Sequence, residues 1–243
     1  MIYVSTHAGK RHCISEDAVI VGTEVLTETS KELPMPESGF VCVADGVGGN
    51  HGGDQASQFV LTELANWNCD AHDNLKDFLV KTNERLIARA IKDGVAINMA
   101  TTLTGICIID GTYQLVHIGN TRAYVKQGKY LKQITSDHTT YNWLLSSGQV
   151  EAAAKYNRSE ITNCFGGNDP VLLSKLFIRE CQQFSLVLLT SDGVHDYVDL
   201  DSLEAIISGE GTLGDKCEEI IQRAKDAGSA DDLSVVIICP SEE

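Results

Sequence analysis

The stretch Phe40 to Ser57, FVCVADGVGGNHGGDQAS, constrains this chain more than any other. The run Phe40, Val41, Cys42, Val43, Ala44 has the length and β-branched content of a buried strand, and it stops at Asp45, followed at once by Gly46. A carboxylate is thereby set at the mouth of a sheet. Gly48, Gly49, Gly52 and Gly53 let the backbone turn tightly and approach a ligand. Asp54 is then expected to cap a helix carrying Ala56, Val60, Leu64 and Trp67 on one face.

The same grammar recurs twice. Leu186 to Leu189 is another buried-strand run, ending in Thr190, Ser191, Asp192, Gly193. In mirror order, Asp231 and Asp232 immediately precede the apolar run Leu233 to Cys239. Carboxylates beside buried strands are costly to desolvate unless they are paired or hold a cation. A shared metal would relieve all of them.

Bulk properties narrow the setting. A chain of 243 residues with no low-complexity break is expected to form one domain, 1–243. The formal charge of −15 argues against a general binder of nucleic acid or of an anionic membrane. The eight cysteines include no C-x-x-C pair and several lie in apolar runs, which reads as buried thiols in a reducing compartment. The opening MIYVSTHAGKRH has no apolar signal core, and no apolar run is long enough to cross a bilayer. A cytoplasmic protein is the expectation.

Along the chain, Met1–His7 and Ala18–Glu24 read as strands, and Thr27–Gly39, with Pro34 and Pro36, as a polar connection. Asn74–Asp93 has helical spacing and ends at Gly94. Asp110-Gly111 between Thr101–Ile109 and Tyr113–Ile118 predicts a tight hairpin, and Gln127-Gly128 predicts another between Ala123–Lys126 and Tyr130–Ile134. Residues 137–170 are less regular, with a helical piece near Tyr141–Ser147, and are expected to form a mobile flap over one end of the sheet. Strands follow at Val171–Ile178 and Leu186–Thr190, then helices at Ser202–Ser208 and from Leu213 to a Gly228 cap, then a last strand, Leu233–Cys239. Two helix pairs around a large antiparallel set predict an α+β fold: a four-layer α/β/β/α sandwich, two antiparallel β-sheets flanked by helix pairs.

Asp45, Asp192 and Asp231 are oxygen ligands with no accompanying His-x-x-x-His or cysteine cluster, which favours Mg²⁺ or Mn²⁺. Glu16 and Asp17 add two acids from the other side. Two such ions would acidify a trapped water and clamp a phosphoryl oxygen, so phosphoester hydrolysis suits the set best. The glycines are followed by no Gly-Lys-Ser/Thr, which excludes a nucleotide-binding P-loop reading. Thr101 and Thr102 read as packed strand residues, and Arg122 as a tie between strands or to a nearby carboxylate. His138 and His195 stand between local hydrogen bonding and participation, and the role of His51 in the glycine loop is open.

Taken in order, Ser15-Glu16-Asp17-Ala18, Ala44-Asp45-Gly46-Val47-Gly48-Gly49, Ala100-Thr101-Thr102-Leu103, Ile118-Gly119-Asn120-Thr121-Arg122-Ala123-Tyr124, Thr135-Ser136-Asp137-His138, Ser191-Asp192-Gly193 and Gly228-Ser229-Ala230-Asp231-Asp232 resemble the metal-dependent Ser/Thr protein phosphatases of the type 2C family, in their compact bacterial form. The resemblance spans nearly the whole chain. It implies that Asp45 bridges two Mn²⁺ or Mg²⁺ ions, that the Gly46 carbonyl completes one shell, and that Asp192 and Asp231 hold the other ion. Glu16 and Asp17 would act largely through coordinated water. A hydroxide held between the ions would attack phosphorus in line, on phosphorylated protein substrates made by a partner Ser/Thr kinase.

Four positions depart from the family pattern. The arginine that usually holds substrate phosphate is His12 here, with Arg11 one residue away, and either is a candidate. Asn120 stands where many relatives have an aspartate implicated in a third ion, and a neutral amide binds a divalent ion less well. Val47 replaces a histidine that protonates the leaving group in some relatives, which leaves that role unassigned. Asp232 stands where asparagine is commoner; Asp231 is taken as the ligand and Asp232 as its support. The alternative to an enzyme is a weakly catalytic relative that binds a phosphoprotein and signals by occupancy.

Overall fold

The computed structural model describes residues 1–47, 52–67, 74–94 and 98–240. The loop residues Gly48, Gly49 and His51, and Cys69, lie outside the described residues. The strands are β1 (Ile2–His7), β2 (Asp17–Gly22), β3 (Glu24–Leu26), β4 (Thr29–Leu33), β5 (Gly39–Val47), β6 (Ala100–Thr101), β7 (Leu103–Ile109), β8 (Thr112–Ile118), β9 (Arg122–Gln127), β10 (Tyr130–Gln133), β11 (Phe165–Gly166), β12 (Phe177–Cys181), β13 (Val187–Thr190) and β14 (Leu233–Ile238). The helices are α1 (Gly53–Ala65), α2 (Leu75–Asp93), α3 (Thr140–Ser146), α4 (Val150–Ala153), α5 (Asp192–His195), α6 (Leu200–Ser208) and α7 (Leu213–Asp226).

One sheet runs β10-β9-β13-β14-β1-β4; the other runs β11-β6-β5-β7-β8-β12, with β2 and β3 continuing from the free side of β5. All described pairings between these strands are antiparallel. Strand periodicity of two explains the layering. On β5, Phe40, Cys42 and Ala44 meet the helix residues Val60, Leu64 and Leu79, while Val41 and Val43 face the other sheet. On β14, Leu233, Val235 and Ile237 meet Leu203, Ile207 and Ile221 of α6 and α7, while Val236 and Ile238 face inward. The four-layer sandwich expected from the sequence is the observed arrangement.

Both hairpins form: Asp110 and Gly111 take φ of 48° and 73°, and Gly128 takes 63°. Several local expectations change. Thr27–Gly39 contains β4, a polar edge strand paired to β1 alone, where solvent on the open side removes the need for apolar residues. Val171–Lys175, expected within a strand, instead belongs to a 3₁₀ helix, Pro170–Lys175: Pro170 opens it and the Asp169 side chain accepts the Val171 N–H. Only Phe177–Cys181 of that region pairs, with β8. The cap of α1 is Gly52 at φ 105°, not Asp54, which sits inside the first turn. Trp67 lies beyond the helix end, yet its ring still packs on Phe40 and Phe78.

Candidate active site

The inward rows of both sheets are apolar through most of their length and turn polar together at one end. On β7 the row of Ile108 and Ile106 continues into Thr104 and Thr102, and on β5 that of Val41 and Val43 continues into Asp45. The Val21 and Val19 row of β2 ends in Asp17; that of Ile238 and Val236 on β14 ends in Ser234, with Asp232 beyond. Acids distant in sequence are thus brought together by parity and register.

Asp17 and Asp45 are directly opposed across β2 and β5. The Gly46 N–H, not that of Asp45, crosses to this side and donates to the Glu16 carbonyl at 3.1 Å. The two aspartates therefore form the non-hydrogen-bonded kind of pair, in which side chains stand closest. From the other sheet, Asp192 opens α5 after Ser191, whose hydroxyl accepts the Ser234 N–H at 2.9 Å. Glycines permit this crowding: a Cβ on Gly46 would fall 2.3 Å from the Gly53 carbonyl oxygen, and one on Gly193 would fall 2.0 Å from that of Asp232.

The electrostatics follow from the crowding. Burial, then the charges of Asp192 and Asp17, hold the Asp45 carboxyl well above the usual range. Burial likewise raises Asp17, opposed by a hydrogen bond from Ser234 and reinforced by Asp232. Asp192 is pushed up to about 6, first by burial and then by Asp231 and Asp196, against hydrogen bonds with Asn120 and Asp45. Glu16 is raised by burial, with His12 opposing. Carboxylates this close cannot all ionise without a cation among them.

Each candidate among the described residues has a definite place. Arg11 Nη1 donates to Asp231 Oδ2 at 2.8 Å, and His12 Nδ1 lies 3.1 Å from Asp232 Oδ2 with its Nε2 3.7 Å from Glu16 Oε2. Burial disfavours the imidazolium, but the Asp232 hydrogen bond and the neighbouring acids outweigh it and raise the His12 pKa. Asp232 is more than a supporting residue: its carboxylate accepts the Gly9 N–H at 2.7 Å and the Glu16 N–H at 2.6 Å, fastening the Gly9–Glu16 loop over the site. Arg122 clasps Asp137 with Nε and Nη2, as its carboxylate-tie reading expected. His138 and His195 make local hydrogen bonds, to the Gly119 N–H and the Thr190 hydroxyl.

Asn120 donates from Nδ2 to Asp192 Oδ2 at 2.9 Å, and its own Oδ1 is buried with no hydrogen-bond partner. Asp17 Oδ2 is orphaned in the same way. Orphaned buried oxygens beside raised carboxylates, in an all-oxygen donor set, fit a hard divalent cation. Among the described residues no three His, Cys, Asp or Glu side chains form a ready-made metal cluster. Arg11 on Asp231 and Asn120 on Asp192 occupy oxygens that would have to turn to close on an ion.

No family model matches the chain. Protein phosphatase PhpP of Streptococcus pneumoniae serotype 2 is 28% identical over 215 residues, 84% of this chain and 87% of that protein. The crystal structure of serine/threonine phosphatase Stp1 from Staphylococcus aureus superposes with a TM-score of 0.80 at 26% identity, covering 99% of this chain and 95% of that one. The catalytic domain of serine/threonine protein phosphatase PstP in complex with two manganese ions has the same fold, with a TM-score of 0.74 at 24% identity over 98% of each chain. In its ordered motifs and its architecture the chain is thus similar to bacterial serine/threonine protein phosphatases of the 2C type.

Proposed function

We propose that the protein removes phosphate from phosphoserine and phosphothreonine in proteins at a pair of Mn²⁺ or Mg²⁺ ions, reversing a partner Ser/Thr kinase in the cytoplasm. The observation that carries this reading is the meeting of Asp17 and Asp45 from one sheet with Asp192 and Asp231 from the other at the polar end of their common core. No described helix is long and apolar enough to cross a membrane.

When bound, the ions supply an acidified water and neutralise charge that develops on the phosphoryl oxygens. Asp45, Asp192, Asp231, Glu16 and the Gly46 carbonyl would hold the ions. Asp17, 1% exposed and with Oδ2 free, orients the attacking water and accepts hydrogen bonds from it. His12, whose pKa Asp232 and the neighbouring acids raise against burial, and Arg11, whose side chain is 58% exposed, flank the carboxylates and would hold the substrate phosphate. Asn120 offers one neutral oxygen, so a third ion is held weakly if at all. Residues 137–170 act as a flap beside the site: the Ser159 hydroxyl reaches Asp196 at 3.1 Å, one turn from Asp192.

Turnover of p-nitrophenyl phosphate and of a phosphothreonine peptide, with Mn²⁺, with Mg²⁺ and with EDTA, tests the reading. Asp45→Ala and Asp192→Ala are expected to abolish it. Metal-independent turnover, or full activity in both variants, overturns the mechanism.

A further inference from the structure

The polar end of the core holds a set of buried hydroxyls to which the chemistry above gives no task. Thr102, Thr104 and Thr121 are fully buried, and His117 is 2% exposed. Thr102 faces Asp45 across the β5–β7 ladder, since Val43 faces Thr104 and Gly46 faces Thr101 on either side of it. Regular pairing breaks at this point. The Asp45 N–H donates to the Thr102 hydroxyl at 3.0 Å, the hydroxyl taking the place of the Thr102 carbonyl. The Asp45 carbonyl accepts from the Thr102 N–H at 2.9 Å and from the Thr101 hydroxyl at 3.0 Å. Both polar groups of Asp45's backbone are thus fixed by two threonines.

Thr102 is itself immobilised from two sides. Its methyl lies where a Cβ on Gly119 would be, 2.5 Å from that position, and Gly119 is bonded twice to His138, by its N–H at 3.1 Å and its carbonyl at 2.8 Å. Its hydroxyl lies 3.3 Å from that of Thr121, which is 2.6 Å from Thr104. Thr104 reaches His117 Nδ1 at 2.8 Å, and His117 Nε2 donates to the Ser136 carbonyl at 3.0 Å, which fixes the tautomer. Since Nδ1 then accepts, the Thr104 proton points to His117.

We propose that Thr102 is a positioning residue for Asp45: its hydroxyl, anchored through Thr121, Thr104 and His117, sets the direction in which the Asp45 carboxylate meets a divalent ion. The inference rests on the metal reading above and concerns this chain's own residues. Partners of ligating groups at one remove commonly change metal affinity or activity about 10- to 100-fold when removed.

The test is Mn²⁺ binding to the whole chain by titration calorimetry without substrate, beside thermal melts in EDTA. Thr102→Val keeps the shape and removes the hydroxyl, and is expected to weaken Mn²⁺ binding roughly 10- to 100-fold. Thr102→Ser keeps the hydroxyl and restores wild-type affinity, although it loses the packed methyl and melts lower in EDTA. A purely packing role predicts the reverse ranking. Thr121→Val, which removes the hydroxyl's neighbour without touching Asp45, shows a smaller loss in the same direction and carries the test if Thr102→Val does not fold. Wild-type affinity in Thr102→Val, or in Thr121→Val where that variant stands alone, overturns the inference. Absence of Mn²⁺ binding by the wild-type chain overturns the metal reading and this inference with it.

Discussion

Asp17 and Asp45 face each other across β2 and β5 with their side chains on the inner face of the sheet, one of them 1% exposed. Both carboxyls, and that of Asp192, are held above the ordinary range first by burial and then by neighbouring acids: Asp192 and Asp17 act on Asp45, Asp232 on Asp17, and Asp231 and Asp196 on Asp192. A folded state that holds such protons binds more of them than the unfolded chain does. The contribution of these carboxyls to stability is therefore greatest below their unfolded values and is lost as pH rises through the folded ones, about 6 for Asp192. Buried His117 and His195 and half-buried His138, with lowered pKa values, act in the opposite sense, so in EDTA the melting temperature of the wild type should fall between pH 5 and pH 7.5 relative to that of Asp192→Asn. Saturating Mn²⁺ should raise it more at pH 7.5 than at pH 5, because fewer protons must be displaced. A wild-type profile in EDTA parallel to that of Asp192→Asn would contradict the crowding.

His12 and Arg11 are distinguishable by kinetics. Replacing a residue that only holds substrate phosphate by Ala should raise KM more than it lowers kcat and leave Mn²⁺ affinity unchanged. If His12 is that residue, KM also climbs as pH passes above its raised pKa, and this limb is absent in His12→Ala. Unchanged kinetics in both variants and in the double variant would move the phosphate site elsewhere.

Gly46 has no room for a side chain: a Cβ would stand 2.3 Å from the Gly53 carbonyl oxygen and 2.8 Å from that of Glu16. Gly46→Ala should push the start of α1 away from the site. Overpacking of this kind costs roughly 1–3 kcal/mol. Denaturant unfolding and Mn²⁺ titration check it, with losses in both expected.

Arg122 and Asp137 form a bidentate pair in which the carboxylate is 6% exposed. Removing one partner leaves the other charge buried, at a cost on the order of 3–5 kcal/mol. Arg122→Met and Asp137→Asn should each lower the urea midpoint. The double variant should be less destabilised than the sum of the two, a coupling that a double-mutant cycle measures.

Much of the fold could be read locally. The alternation in Phe40–Ala44 and Leu233–Cys239, the Asp110-Gly111 turn and the α7 stripe of Cys217, Ile220, Ile221 and Ala224 are properties of short segments, and all appear in the structure. β4 escaped because Thr-Ser-Lys-Glu-Leu has no apolar signal of its own; its pairing with β1 comes from a partner more than twenty residues away. Pro170–Lys175 escaped because an apolar run of that length is ambiguous until its cap is seen.

The candidate site divides in the same way. Parity places Thr102 and Thr104 on the face of Ile106 and Ile108, a signal present in the sequence, but only the register of β5 against β7 sets Thr102 opposite Asp45. Asp232 offers no local sign that it will fasten Gly9, His12 and Glu16, more than two hundred residues earlier.

The sequence by itself determined which segments pair or coil, which faces are apolar, and that Asp45, Asp192 and Asp231 end or begin buried strands, because those properties depend on neighbours a few residues apart. Which carboxylates stand against one another, which have raised pKa values, and which oxygens Arg11 and Asn120 occupy were decided only by the packing of the two sheets, because charge interaction and desolvation depend on distances that the chain order does not contain.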